Sequence, residues 1–166
     1  MTDYAPVFET IVETEVTARH LDDPAWVIVD CRFQLAEPEW GRTEYTKGHI
    51  PGALYAHLDE DLSGRIAPRT GRHPLPDPEA LRARLSSWGI HAGAQVVAYD
   101  QDAGLNASRL WWLLHAFGHS GVAVLDGGYA KWVAEGRPTK VGDERRPAVS
   151  FTGTFNRSMF VEADEV

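Results

Sequence analysis

The chain has 166 residues, 43% hydrophobic and 24% charged, with a formal net charge of −8. That length fits one domain on a prior of about 150 residues, and such a domain buries roughly 70% of its unfolded surface without a disulfide or metal staple. The acidic balance disfavours nucleic acid as a partner, the single cysteine, Cys31, rules out an intramolecular disulfide and reads as cytoplasmic, and no apolar run approaches the roughly 18 residues of a membrane span.

Asp3, Glu9, Glu13 and Glu15 precede the first base, Arg19, which is the wrong charge for a signal or transit peptide. Thr14 is placed to cap a short helix running to Leu21, with Pro24 ending it. Trp26-Val27-Ile28-Val29 reads as a buried strand, and residues 53–56 as a weaker one. Asp77-Pro78 starts a helix with an N-cap oxygen and a proline at the first helical position. Leu81, Leu85 and Trp88 share a face of that helix, and Gly89 stops it. Gln95-Val96-Val97-Ala98-Tyr99 is the next strand, followed by a helix over residues 106–117. Residues 122–125 form a strand, 126–128 a turn, and 129–134 a last short helix. Buried strands alternating with helices define the α/β class: a parallel sheet with both faces covered.

Two segments stand outside that alternation. Residues 64–76 (GRIAPRTGRHPLP) are rich in proline and arginine and read as a surface loop. Beyond Gly136 the chain is polar and turn-rich, then gains Phe151, Phe155, Met159 and Phe160. A compact domain ends near residue 140, and the remaining residues read as a linker.

Several short motifs now fall in one order: Val29-Asp30-Cys31-Arg32, Gly48-His49-Ile50-Pro51-Gly52-Ala53, His73-Pro74-Leu75-Pro76, Val96-Val97-Ala98-Tyr99-Asp100, Arg109-Leu110-Trp111-Trp112, Phe117-Gly118-His119, and Leu125-Asp126-Gly127-Gly128 with Trp132. Together they resemble the rhodanese family, in particular the N-terminal half of two-domain thiosulfate and 3-mercaptopyruvate sulfurtransferases. The resemblance implies a rhodanese-like fold, a five-stranded parallel sheet with helices on both faces. It implies residues 1–140 as the domain and 141–166 as a linker and the start of a second rhodanese domain. It also implies a chemistry without cofactor or metal: a cysteine thiolate takes sulfur from a donor, holds it as a persulfide, and passes it to cyanide or a thiol.

The family's nucleophile sits in a loop of backbone N–H groups at a helix N-terminus, which stabilise thiolate and persulfide. By resemblance that loop is 100–108 (DQDAGLNAS), and Asp100 holds the nucleophile's place. A carboxylate fits an anion nest, but its oxygen cannot carry a persulfide, so no catalytic residue is expected in this chain. Such halves commonly lack the cysteine, and the C-terminal half carries the catalysis. Cys31 follows a strand but no glycine-bearing nest comes after it, and a phosphatase of this fold would need arginine where Glu37 stands. Free cysteines usually fill space.

The remaining candidates for the anion loop or an interdomain contact are Arg109, His49 and Arg32. Arg109 suits an anion or a pairing with Asp100 or Asp102. His49 precedes its strand while Asp100 ends one, which places them at opposite sheet edges with over about 10 Å between them. Asp30 and Arg32 suit bracing of loops. His115 and His119 make a poor zinc pair because Gly118 interrupts them and no third ligand is near. The expected partners are a C-terminal rhodanese domain and a small sulfur donor, and an unpaired domain exposing apolar surface would self-associate. The rival readings are a self-standing binding module and catalysis through Cys31.

Overall fold

The unbroken apolar runs of the sequence become the interior strands of one sheet, seen in a computed structural model that describes residues 7–161. Its strands are β1 (Ile11–Val12), β2 (Trp26–Asp30), β3 (Leu54–Tyr55), β4 (Gln95–Tyr99) and β5 (Val122–Leu125). They pair in parallel throughout, in the order β1-β5-β4-β2-β3. Every residue of β2 and β4 is buried, as expected for strands covered on both faces.

Alternation divides the core in two. Val27, Val29, Val96 and Ala98 point to one face, where Leu81 and Leu85 of α3 (Pro78–Ser87) and Leu110, Leu113 and Leu114 of α4 (Ala107–Ala116) close over them. Trp26, Ile28, Val97 and Tyr99 point to the other, under Val16 of α1 (Thr14–Arg19) and Trp132 of α5 (Gly128–Ala134). The remaining helix, α2 (Trp40–Lys47), links β2 to β3. Helix α3 starts as its sequence dictates: Asp77 Oδ1 accepts from Glu79 N at 3.1 Å and Ala80 N at 2.9 Å. It stops at Gly89, whose φ of +74° lies in the left-handed region.

Three local expectations are corrected. Thr14 does not cap α1; it is the first helical residue, comes after Glu13, and sends its hydroxyl to Glu135 instead. The helix ends at Arg19 rather than Leu21, and the weak strand at 53–56 contracts to Leu54–Tyr55. Two elements carry no sequence signal. Strand β1 has only two residues, and α2 buries only Gly41 and Tyr45, too few to print an apolar stripe. Gly41 is required where α2 crosses the loop after β2, because a Cβ there would lie 1.8 Å from the Arg32 carbonyl oxygen.

The α-helices and strands end at Ala134, a 3-10 turn follows at Arg157–Met159, and packing continues past residue 140. Residues 49 and 140 form an antiparallel bridge, Arg146 donates to Trp26 O at 3.0 Å, and Val149 N donates to Ser86 O at 3.0 Å. Phe151 is 4% exposed and meets Phe117 edge-on. No described helix is long and apolar enough to cross a membrane.

Candidate functional site

Parallel α/β sheets place their chemistry at the carboxyl ends of the strands. Here β2 and β4 pair in register, so Asp30 lies beside Tyr99 and the chain leaves both strands together, with Cys31 N donating to Tyr99 O at 2.7 Å.

The loop after β4 wraps its own aspartate. Asp100 is 3% exposed. Its Oδ1 accepts from Gly104 N at 2.9 Å and Asp102 N at 3.3 Å, and its Oδ2 from Asn106 N at 2.7 Å and Ala107 N at 3.1 Å. Four peptide donors at the start of α4 therefore converge on one carboxylate, which is an anion nest already filled from within. Helix α5 locks the loop from behind: Tyr129 N donates to Asp100 O at 2.9 Å and Ala130 N to Gln101 O at 2.8 Å. That approach demands Gly128, where a Cβ would come within 2.7 Å of the Asp100 carbonyl oxygen.

The loop after β2 holds a buried ion pair. Arg32 donates to Asp30 Oδ2 at 2.7 Å from Nη2 and 2.9 Å from Nε, to Asp30 Oδ1 at 3.1 Å from Nε, and to Gly48 O at 2.6 Å. Its guanidinium lies 4.0 Å from the Tyr129 ring centroid. Tyr99 Oη donates to Asp30 at 2.7 Å. Burial, the largest influence, pushes the Asp30 carboxyl upward against the pull of Arg32 and Tyr99. Cys31 is 1% exposed; burial first, then the charges of Asp30, Asp100 and Asp61, push its thiol well above the usual range. A protonated, inaccessible thiol is a poor nucleophile.

Arg109 pairs with neither Asp100 nor Asp102. It donates to the carbonyls of Leu62 at 2.8 Å, His73 at 3.1 Å and Pro74 at 2.9 Å, and so pins residues 62–74. His49 is fully buried, its Nδ1 is 2.8 Å from Tyr45 O, and its ring stacks on Tyr45 with centroids 4.1 Å apart. The opposite-edge argument for His49 does not hold. The segment after α2 crosses a sheet face before entering β3, so Gly48 meets Arg32 while Ile50 N donates to Tyr99 Oη at 3.2 Å.

His115 and His119 part company. His115 lies 3.3 Å from Glu9 O, whereas His119 is 6% exposed and burial pushes its pKa downward. Glu39, His57 and Glu60 do converge, with ligand atoms within 4.8 Å of one another. His57 Nδ1, however, accepts from Asp59 N at 3.2 Å and Glu60 N at 3.3 Å, which leaves Nε2 as the protonated nitrogen facing Glu39. Arg42 bridges both glutamates, at 3.1 and 2.6 Å. Both acids are thus already answered by the Arg42 guanidinium.

Sequence reasoning passed over Tyr99, Tyr129 and the pair His73–Asp59, whose Nδ1 and Oδ1 are 3.0 Å apart. Only Tyr99, apolar in pattern but polar at its tip at a strand end, carried a visible signal.

The fold and the nest define a class. The Rhodanese-like domain model matches residues 13–135, and the chain belongs to that family. It is similar to a probable 3-mercaptopyruvate sulfurtransferase of Pseudomonas aeruginosa, 41% identical over 92% of this chain and 55% of that one. It is also similar to thiosulfate sulfurtransferase of Bos taurus, 30% identical over 86% of this chain and 48% of that one. Among solved structures, the 3-mercaptopyruvate sulfotransferase of Escherichia coli superposes with a TM-score of 0.84 at 29% identity, covering 95% of this chain and 60% of that one. The chain thus spans about half the length of the curated relatives it matches.

Proposed function

We propose that this chain is the non-catalytic N-terminal rhodanese domain of a two-domain, cytoplasmic sulfurtransferase that uses thiosulfate or 3-mercaptopyruvate as donor. The observation that carries the reading is the Asp100 nest. Peptide donors suited to an anionic sulfur are satisfied by a carboxylate that cannot accept sulfur, and Cys31 is buried and protonated. The domain would then form one wall of a site whose cysteine belongs to a C-terminal rhodanese domain following residue 166. Produced alone, it should self-associate through the face meant for that partner.

The test is sulfur transfer from thiosulfate or 3-mercaptopyruvate to cyanide. The 166-residue chain should show no turnover, and a polypeptide continuing into the next domain should. Turnover by the short chain that is lost in Asp100→Ala but kept in Cys31→Ser would sink the proposal. A stable added sulfur on Cys31 after thiosulfate treatment, read by mass spectrometry, would instead support catalysis through that thiol.

The way residues 140–156 lie back against the domain favours a second reading, a self-standing rhodanese-fold binding module. A stop codon after residue 166 would select it.

A further inference from the structure

We propose that His49 and Glu144 form a proton-gated latch for residues 140–144, a strap that is seated when the imidazole carries two protons and loosened when it carries one. The inference goes beyond sulfur transfer and does not depend on it.

The neighbours of the ring assign its protons. Tyr45 O can only accept, so His49 Nδ1, 2.8 Å from it, carries a proton. Nε2 is buried with no hydrogen-bond partner among the described residues, and Glu144 Oε1 lies 3.8 Å away. In the neutral ring Nε2 turns a lone pair towards a carboxylate, an orphaned acceptor facing another acceptor. A second proton converts the same approach into an attraction of opposite charges, and Glu144 is then the counter-charge that a buried imidazolium requires.

Glu144 is also the hub of the strap. Its Oε1 accepts from Lys140 Nζ at 2.7 Å and from Gly52 N at 3.2 Å, and its peptide N donates to Tyr45 Oη at 3.0 Å. His49 and Lys140 exchange two backbone bonds of 2.9 Å, and Gly142 N donates to Thr46 O at 2.9 Å. These contacts all run to residues 45–52, the segment that carries His49.

Other charged and titratable groups surround the latch. Tyr45 stacks on the ring from α2, Arg32 donates to Gly48 O with Asp30 behind it, and Tyr129 closes over Gly48. Tyr99 meets Ile50 from β4, and Lys140 and Asp143 accompany Glu144 in the strap. Burial pushes the phenol of Tyr45 up to about 12, and those of Tyr99 and Tyr129 upward as well. Burial also raises the Glu144 carboxyl, but the bonds from Lys140 and Gly52 and the charges of Lys140 and His49 outweigh it and hold the group below its ordinary value. Neither the phenols nor Glu144 therefore changes charge between about pH 5 and 8, where histidine is the side chain that does. The seated strap holds the second proton more firmly than the open one. Seating is accordingly favoured at low pH and lost as pH rises through that window.

The experiment is amide exchange by NMR on the 166-residue chain across that window, with each rate divided by its intrinsic value. Protection at Lys140, Gly142 and Glu144 should fall about ten-fold relative to Val97 and Ala98 of β4, the scale of one charge-assisted hydrogen bond. Imidazole ¹⁵N shifts should show Nδ1 protonated throughout and Nε2 gaining its proton over the same range. Glu144→Gln should abolish the step, since an amide has no charge to answer the ring. Lys140→Gln, which removes only the exposed partner of Glu144, should keep it. A flat profile, a step that survives in Glu144→Gln, or a neutral ring with its proton on Nε2 would overturn the latch.

Discussion

Asp30 and Asp100 leave neighbouring parallel strands at the same edge of the sheet, both almost wholly buried, yet each is compensated by a different kind of positive charge. Asp30 faces a full cation, Arg32, with a phenol beside it. Asp100 faces no cation within pairing distance among the described residues; four peptide dipoles at a helix start answer it. The first arrangement fixes one loop against another, since Arg32 also reaches Gly48 and Tyr129. The second is a general anion receptor filled from within its own loop. A buried ion pair is satisfied only by its partner, whereas a ring of N–H groups accepts any anion of suitable size.

Removing one member of the ion pair should therefore have the largest effect. Asp30→Ala leaves the Arg32 guanidinium buried and unpaired, at a cost of about 3–5 kcal/mol. Urea unfolding would measure it, and a loss under about 1 kcal/mol would mean that water reaches the pair and that the contrast with Asp100 is overdrawn. Asp100→Ala comes next, at about 2–3 kcal/mol, because four peptide donors lose their acceptor but no full charge is left buried and unpaired. Added sulfate should recover part of that loss, since an external anion can enter the vacated nest, and should recover none of the loss in Asp30→Ala. Tyr99→Phe is smaller, about 1–2 kcal/mol, because it deletes the hydrogen bonds to Asp30 and from Ile50 N but leaves Arg32 in place. A loss as large as that of Asp30→Ala would make the phenol, rather than the guanidinium, the principal partner.

Much of this was legible in the sequence where local chemistry decides structure. Strands β2, β4 and β5 announced themselves as short apolar runs, and α3 by Asp77-Pro78. Asp100 was legible as a carboxylate in an N–H nest only through the family resemblance, which the four peptide donors around it bear out. Helix α2 was not, since its contacts are a glycine pressed on a carbonyl and one tyrosine rather than an apolar stripe. The partners of Arg109 were hidden for a related reason: they are carbonyls 35 to 47 residues away, and a carbonyl has no residue type to recognise. The position of His49 was hidden because the chain crosses a sheet face between α2 and β3, a path that strand counting does not reveal.

The smallest effect separates burial from charge at Cys31, which lies between the two aspartates. Burial is the largest influence holding its thiol protonated, with Asp30 and Asp100 adding their fields. In the native chain iodoacetamide should therefore label Cys31 only through opening of the structure, at a rate set by the open population. Asp100→Ala should accelerate labelling by no more than its loss of stability allows, about tenfold per 1.4 kcal/mol. An acceleration beyond that, at equal stability, would mean that the field of Asp100 guards the thiol in the closed state. The two aspartates would then share a target in Cys31, Asp100 acting on it through space as Asp30 does.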